Sequence, residues 1–135
     1  MPYKPGTPQH VSIERPVIFC VRSGVNTNPP TSINFDQSGG GNLVTGNVSA
    51  SDTIDVTNSA GGIVLAGTVA GTDLVVTSSG AVTDGADGDL AISGLAQVNA
   101  GSIELGNDAG NTTNFGTLSF NSAGSVNIAE DSAML

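Results

Sequence analysis

The amino-acid sequence predicts an all-β chain wound as a parallel β-solenoid, with coils of about 19–23 residues. Three observations predict it. A small-residue break recurs through the second half: Ser59-Ala60-Gly61, Ser78-Ser79-Gly80, Asn99-Ala100-Gly101 and Ser122-Ala123-Gly124, with successive glycines 19, 21 and 23 residues apart. Apolar residues flank each break at spacings of two, which places them on one face of a strand. The hydrophobic residues make up 38% of the chain but aromatics only 4%, with no Trp. A narrow stacked core fills with Val, Ile, Leu and Ala, whereas a sandwich of this size anchors on large rings. An antiparallel β-sandwich is the alternative, and the lack of hairpin signals counts against it.

The elements follow in order. Residues 1–31 hold all six prolines and form a separate N-terminal segment, a cap with strands at 11–13 and 17–21. Residues 32–135 are the solenoid repeats. They open with a strand at 32–37, and Ser38-Gly39-Gly40-Gly41 is a flexible turn. From Asn42 onward there is room for roughly four to five coils. The inward side chains before each break are Ile54 and Val56, Leu74 and Val76, Leu95 and Val98, and Leu118 and Phe120. Two residues after each glycine come Ile63, Val82, Ile103 and Val126, and the last three should stack as one apolar ladder. Four residues after, Leu65, Leu105 and Ile128 keep the rule, and Asp84 breaks it. The intervening Thr57, Glu104, Ser119 and Asn127 should face outward. Corners call for Gly or Asn because branched residues resist the backbone angles of a tight turn. A second glycine set, Gly46, Gly67, Gly71, Gly85, Gly88, Gly106, Gly110 and Gly116, punctuates the other corners. The drift of the repeat is assigned to corner loops of unequal length.

Charge narrows the function classes. Lys4, Arg15 and Arg22 are the only strong bases, all near the N-terminus, against 12 acids and a net charge of −9. A nucleic-acid partner or insertion at an anionic membrane is not expected, since both need a cationic patch. Spread carboxylates keep a repetitive, edge-rich protein soluble. Cys20 is alone, so no internal disulfide forms; among Val17, Ile18, Phe19 and Val21 it should be a buried, inert thiol. No signal peptide and no membrane span is encoded in the sequence.

The candidate chemical site is Asp84-Gly85-Ala86-Asp87-Gly88-Asp89. Aspartates interleaved with glycines can wrap oxygen ligands around Ca²⁺, so Asp84, Asp87 and Asp89 are the candidate metal ligands and Ca²⁺ the one candidate ion, with no other cofactor expected. The competing reading is a solvated corner turn. Asn107 to Asn114 reads as a polar corner loop that satisfies backbone groups. A flat threonine face for ice or carbohydrate needs one Thr position in every coil, and Thr57, Thr77 and Thr117 do not share a phase. Asn47-Val48-Ser49 and Asn111-Thr112-Thr113 match glycosylation acceptors. Catalysis is not expected. The single His, His10, lies in the proline-rich segment, and no nucleophile, base and stabiliser come together.

Residues 101–116 (Gly101-Ser102-Ile103-Glu104-Leu105-Gly106-Asn107-Asp108-Ala109-Gly110-Asn111-Thr112-Thr113-Asn114-Phe115-Gly116) and 122–128 (Ser122-Ala123-Gly124-Ser125-Val126-Asn127-Ile128) resemble the repeats of very large bacterial surface proteins, the filamentous-haemagglutinin-type adhesins and autotransporter-like β-strand repeat proteins. Weaker versions reach back to about Asn42. The resemblance implies a secreted, right-handed β-helix on the cell surface or outside the cell, serving adhesion or acting as a rigid stalk. Partners on this reading are further coils, by end-to-end self-association or continuation of a longer repeat protein, and a host or matrix glycan or protein. A Ca²⁺- or glycan-binding module is the second expectation, and a β-helical polysaccharide-degrading enzyme the third. Solenoids leave strand edges and a cut core at each end. Residues 130–135 are not expected to cap theirs.

Overall fold

In the computed structural model, residues 9–13 and 18–19 are described as backbone and residues 29–133 in full. The described residues carry β1 (Gln9–Ile13), β2 (Ile18–Phe19), β3 (Ile33–Gln37), β4 (Leu43–Thr45), β5 (Val48–Ser49), β6 (Thr53–Asn58) and β7 (Ile63–Leu65). These continue into β8 (Val69–Gly71), β9 (Asp73–Ser78), β10 (Ala81–Asp84), β11 (Leu90–Ala100), β12 (Ser102–Leu105), β13 (Thr113–Ser122) and β14 (Val126–Ile128). There is no helix among them. Every pairing is parallel, and each strand pairs with its equivalent one coil away. The chain is therefore a parallel β-solenoid of about five turns. Cys20 and its expected burial lie outside the described residues, as do Met134 and Leu135.

Each full coil has three sides. Side one stacks β1, β3, β6, β9, residues 95–100 of β11 and residues 117–122 of β13; side two stacks β2, β4, β7, β10, β12 and β14. Side three stacks β5, β8, residues 90–92 of β11 and residues 113–115 of β13. In the last two full coils the strand runs through the corner from side three to side one, with a register shift between Ile92 and Leu95.

The core is a set of ladders running along the axis. Leu43, Ile63, Val82, Ile103 and Val126 stand in register on side two, as the spacing predicts. On side one Ile33, Ile54, Leu74, Ala96 and Leu118 form one ladder, and Phe35, Val56, Val76, Val98 and Phe120 the next. Most of these side chains are fully buried, and each contributes about 1.5–3 kcal/mol relative to exposure. No coil encloses a core alone; each closes on its neighbours.

Two expectations about side one are corrected. Leu95 does not point inward. Ala96 takes the core position opposite Leu74 and is 0% exposed, while Leu95 pairs with Thr117 and is 38% exposed. The reason is the pleat: Val98 is inward, so the residue two before it must be inward too. Thr57 and Thr77 do share a phase, standing opposite one another in β6 and β9. Thr117 does not join them, and the column runs Asp36, Thr57, Thr77, Asn99 and Asn121. Beside it the Asp55 carboxyl is pushed up, first by its partial burial and further by Asp36, while a hydrogen bond from Thr57 opposes the shift.

The repeat glycines also have a different cause from the expected one. None of Gly61, Gly80, Gly101 and Gly124 has a positive φ. They stack over one another at the corner between sides one and two, where backbone meets backbone. A Cβ on Gly80 would stand 2.8 Å from the Gly62 nitrogen, and one on Gly124 2.6 Å from the Gly101 oxygen. A Cβ on Gly61 would be driven into the Gly41 carbonyl. Close approach selects glycine here. Left-handed backbone appears instead at Gly40, Gly41, Gly67, Gly106 and Gly110.

The C-terminal segment is not the featureless end that the sequence suggested. Asp131 N–H donates to the Thr113 carbonyl at 2.8 Å, and the Asp131 carboxylate accepts from Thr113 N–H at 2.8 Å. Glu130 Oε1 accepts from Phe115 N–H at 3.0 Å. Two carboxylates thus stand where a next strand's carbonyls would be, and they close the edge of side three. The hydrogen bond from Phe115 holds the Glu130 carboxyl below its usual range, reinforced by the Ser132 hydroxyl. A depressed acid stabilises the fold above its unfolded pKa, and that contribution disappears as pH falls through the lower folded value. The Phe115 amide proton resonance should therefore move upfield as pH drops below the ordinary carboxylate range, and Glu130→Gln should abolish that step in an NMR titration.

Candidate functional site

The corner between sides two and three absorbs the drift of the repeat. It spans residues 46–47, then 66–68, then 85–89, then 106–112 in successive coils. Loop 85–89 overhangs the two shorter corners before it and bounds an open groove of about 640 Å³, lined by Thr45, Gly46, Asn47, Gly67, Thr68, Asp87 and Asp89 among others. On its other side, a hollow of about 260 Å³ is lined by Thr83, Asp84, Glu104, Asn107 and Asp108.

The structure separates the three aspartates of this loop. Asp84 is the last residue of β10, occupies the inward position that follows Leu65 in register, and is 8% exposed. It is therefore not a solvated corner residue. Its Oδ2 accepts from Gly106 N–H at 2.8 Å and from the Asn111 amide at 3.4 Å, and the same amide donates to the Gly85 carbonyl at 2.7 Å. Asp89 is half-buried, and its Oδ1 accepts from Thr112 N–H at 2.7 Å. Asp87 is exposed on the groove. Among the described residues no three His, Cys, Asp or Glu side chains gather closely enough to hold a metal ion.

Chemically, the Asp84 and Asp89 carboxylates act as acceptors for main-chain donors one coil on. The same device recurs around the stack. Asn42 Oδ1 takes Gly62 N–H at 3.0 Å, Asn47 Oδ1 takes Thr68 N–H at 3.0 Å, and Asp73 Oδ1 takes Leu95 N–H at 2.8 Å. Corners leave backbone N–H groups without a ladder partner, and a short side chain from the preceding coil supplies one. Five of the twelve acids, Asp73, Asp84, Asp89, Glu130 and Asp131, accept a main-chain N–H of another coil. Of the two formal glycosylation acceptors, Asn47 takes part in this bracing, whereas Asn111 works in the opposite sense, donating its amide to the Gly85 carbonyl of the preceding coil. Because Asp84 makes charge-assisted bonds at a buried site, Asp84→Ala should lower stability by about 2–3 kcal/mol. Asp84→Asn, which keeps an acceptor for Gly106, should cost about 1 kcal/mol; urea midpoints distinguish the two.

Sequence reasoning missed a second polar feature. Gln37, Asn58 and Ser78 stack in register at the inner end of side one, all buried. The Asn58 amide donates to the Gly41 and Gly62 carbonyls at 2.9 and 2.8 Å, and its oxygen accepts from Ala60 N–H at 3.2 Å. Ser78 donates to the Gly61 carbonyl at 2.8 Å, and Ser122 repeats the pattern on Gly101 at 3.1 Å. The signal was present in the sequence: each is the third residue at spacing two after an apolar pair, and each precedes or opens the run of small residues that follows. At Asn58, Ser78 and Ser122 these side chains tie the turn of one coil to the turn of the previous one.

Comparison of the chain with protein-family models, with curated proteins and with solved structures finds no match.

Proposed function

We propose that the chain is a structural or adhesive segment of a bacterial cell-surface or secreted protein, whose coils stack end to end into a filament. The observation that carries this reading is the final coil. Phe120 is 52% exposed and Val126 38% exposed, each the last rung of a ladder whose other rungs from β3 and β4 onward are buried. Leu118 and Ile128 are only half-buried beside them. Among the described residues, β14 and residues 117–122 of β13 have a partner strand on one edge alone. Exposed ladders with free edges are suited to accept another coil in register, which would bury this apolar surface. The likeness of residues 101–116 and 122–128 to adhesin repeats supports a place outside the cell, and the paired, acid-braced coils suit a mechanical role without catalysis.

Sedimentation of the full chain over a wide concentration range, with electron micrographs of the same samples, tests the reading. Growth of thin fibres one solenoid wide is the expected result. A single species of monomer mass at every concentration, with no fibres, would contradict it.

A further inference from the structure

The two ends of the stack differ in a way that selects a partner for the open one. At the C-terminal end, sides one and two present free edges, while Glu130 and Asp131 occupy the edge of side three. An added coil therefore finds two edges to extend. At the N-terminal end, the described residues offer terminal strands on the same two sides, β1 on side one and β2 on side two. Two open edges meet two terminal strands, and both ends run in the same direction along the axis.

Charge falls into the same pattern. Arg22 follows the last residue of β2 by three positions, and Glu130 and Asp131 follow the last residue of β14 by two and three. Glu130 and Asp131 lie in the corner after side two, and in the sequence Arg22 stands at the matching distance from β2, basic where they are acidic. All three strong bases of the chain lie in its first 22 residues, and residues 117–133 contain acids but no base. Two copies of the same end repel or mismatch; opposite ends attract.

From this juxtaposition we propose that the open end receives the N-terminal coil of a second copy of this chain, head to tail, with β1 and β2 of the incoming copy extending residues 117–122 and β14 in parallel. The proposal rests on the end-to-end reading above and gives it a polarity. The contact is heterologous, so it does not close into a dimer and propagates as a polar filament. Continuing the register of side one places Ser12 of the incoming copy opposite Asn121, because Ser12 pairs with Asp36 and that column runs to Asn121.

Single-cysteine chains test it. In a Cys20→Ser background, one preparation carries Ser12→Cys and the other Asn121→Cys, and the two are mixed and oxidised. Neighbouring rungs of a parallel ladder lie within disulfide reach, so mixed 12–121 dimers should outnumber either like pair by about tenfold. Unchanged urea midpoints of the two reduced variants establish that both fold. Predominant 121–121 or 12–12 dimers, or association with no disulfide of any kind, would overturn the head-to-tail polarity while leaving end-to-end stacking intact. Monomers without crosslinks at every concentration would overturn both.

Discussion

Ala96→Asp should unfold the middle of the stack, lowering stability by about 4 kcal/mol or more, because it places an unpaired carboxylate among Leu74, Val98 and Leu118 at a position with no access to water. The same substitution one residue earlier, Leu95→Asp, should cost less than about 1 kcal/mol. Part of that small cost is repulsion from Asp73, whose carboxylate already accepts from the Leu95 N–H. Chemical denaturation followed by far-ultraviolet circular dichroism measures both. The pair is informative because residue type alone predicts the opposite order: a leucine should be the core residue and an alanine the tolerant one. Equal costs at 95 and 96, or a larger cost at 95, would put the register of β11 in error.

Gly80→Val is the second substitution with a large expected effect. A β-carbon there meets the Gly62 nitrogen at 2.8 Å, the Gly61 carbonyl carbon at 3.0 Å and the Gly62 Cα at 3.1 Å, all of them backbone. No rotamer change relieves such a contact. The neighbouring coil has to move, and with it the Gly61 carbonyl that Ser78 and Gly80 N–H both hold. The expected loss is about 3 kcal/mol. Gly110→Ala separates this cause from conformational freedom: Gly110 has a φ of 97° but nothing within 4 Å of its ideal Cβ. It should lose only about 1 kcal/mol, the strain of a left-handed backbone. Denaturation midpoints of the two variants decide between close approach and turn geometry as the origin of the repeat.

The architecture was legible in the sequence because a solenoid writes its ladders into the chain at a fixed interval. Ile63, Val82, Ile103 and Val126 recur at nearly constant spacing, and pleating then assigns their neighbours to the outer face. What the pattern misassigned was local. Leu95 competed with Ala96 for one inward position, and hydrophobicity favoured the wrong one, since the register shift at Ser93-Gly94 leaves little trace in composition. The glycines were located correctly but explained by the wrong force, because contact between coils is not visible in a single repeat. Asp84 was singled out as an exception to the apolar rule without its consequence being clear: a buried acceptor for Gly106, 22 residues on. The role of Glu130 and Asp131 was invisible for the same reason. Their partners, Phe115 and Thr113, lie in another coil, and only the winding of the chain brings them together.

Continuation is the property that unites these features: equivalent coils, backbone contacts that repeat, and a last rung left open. Duplication of one coil tests it most directly. A chain with a second copy of residues 54–73 inserted after residue 73 keeps every ladder in register, since Leu74 follows Ile54 at that interval. Such a chain should fold, unfold at a higher urea concentration, and show a denaturant slope larger by about 15%, in proportion to the added surface. A duplicated chain that fails to fold, or folds with an unchanged slope and the new coil looped out, would contradict the account.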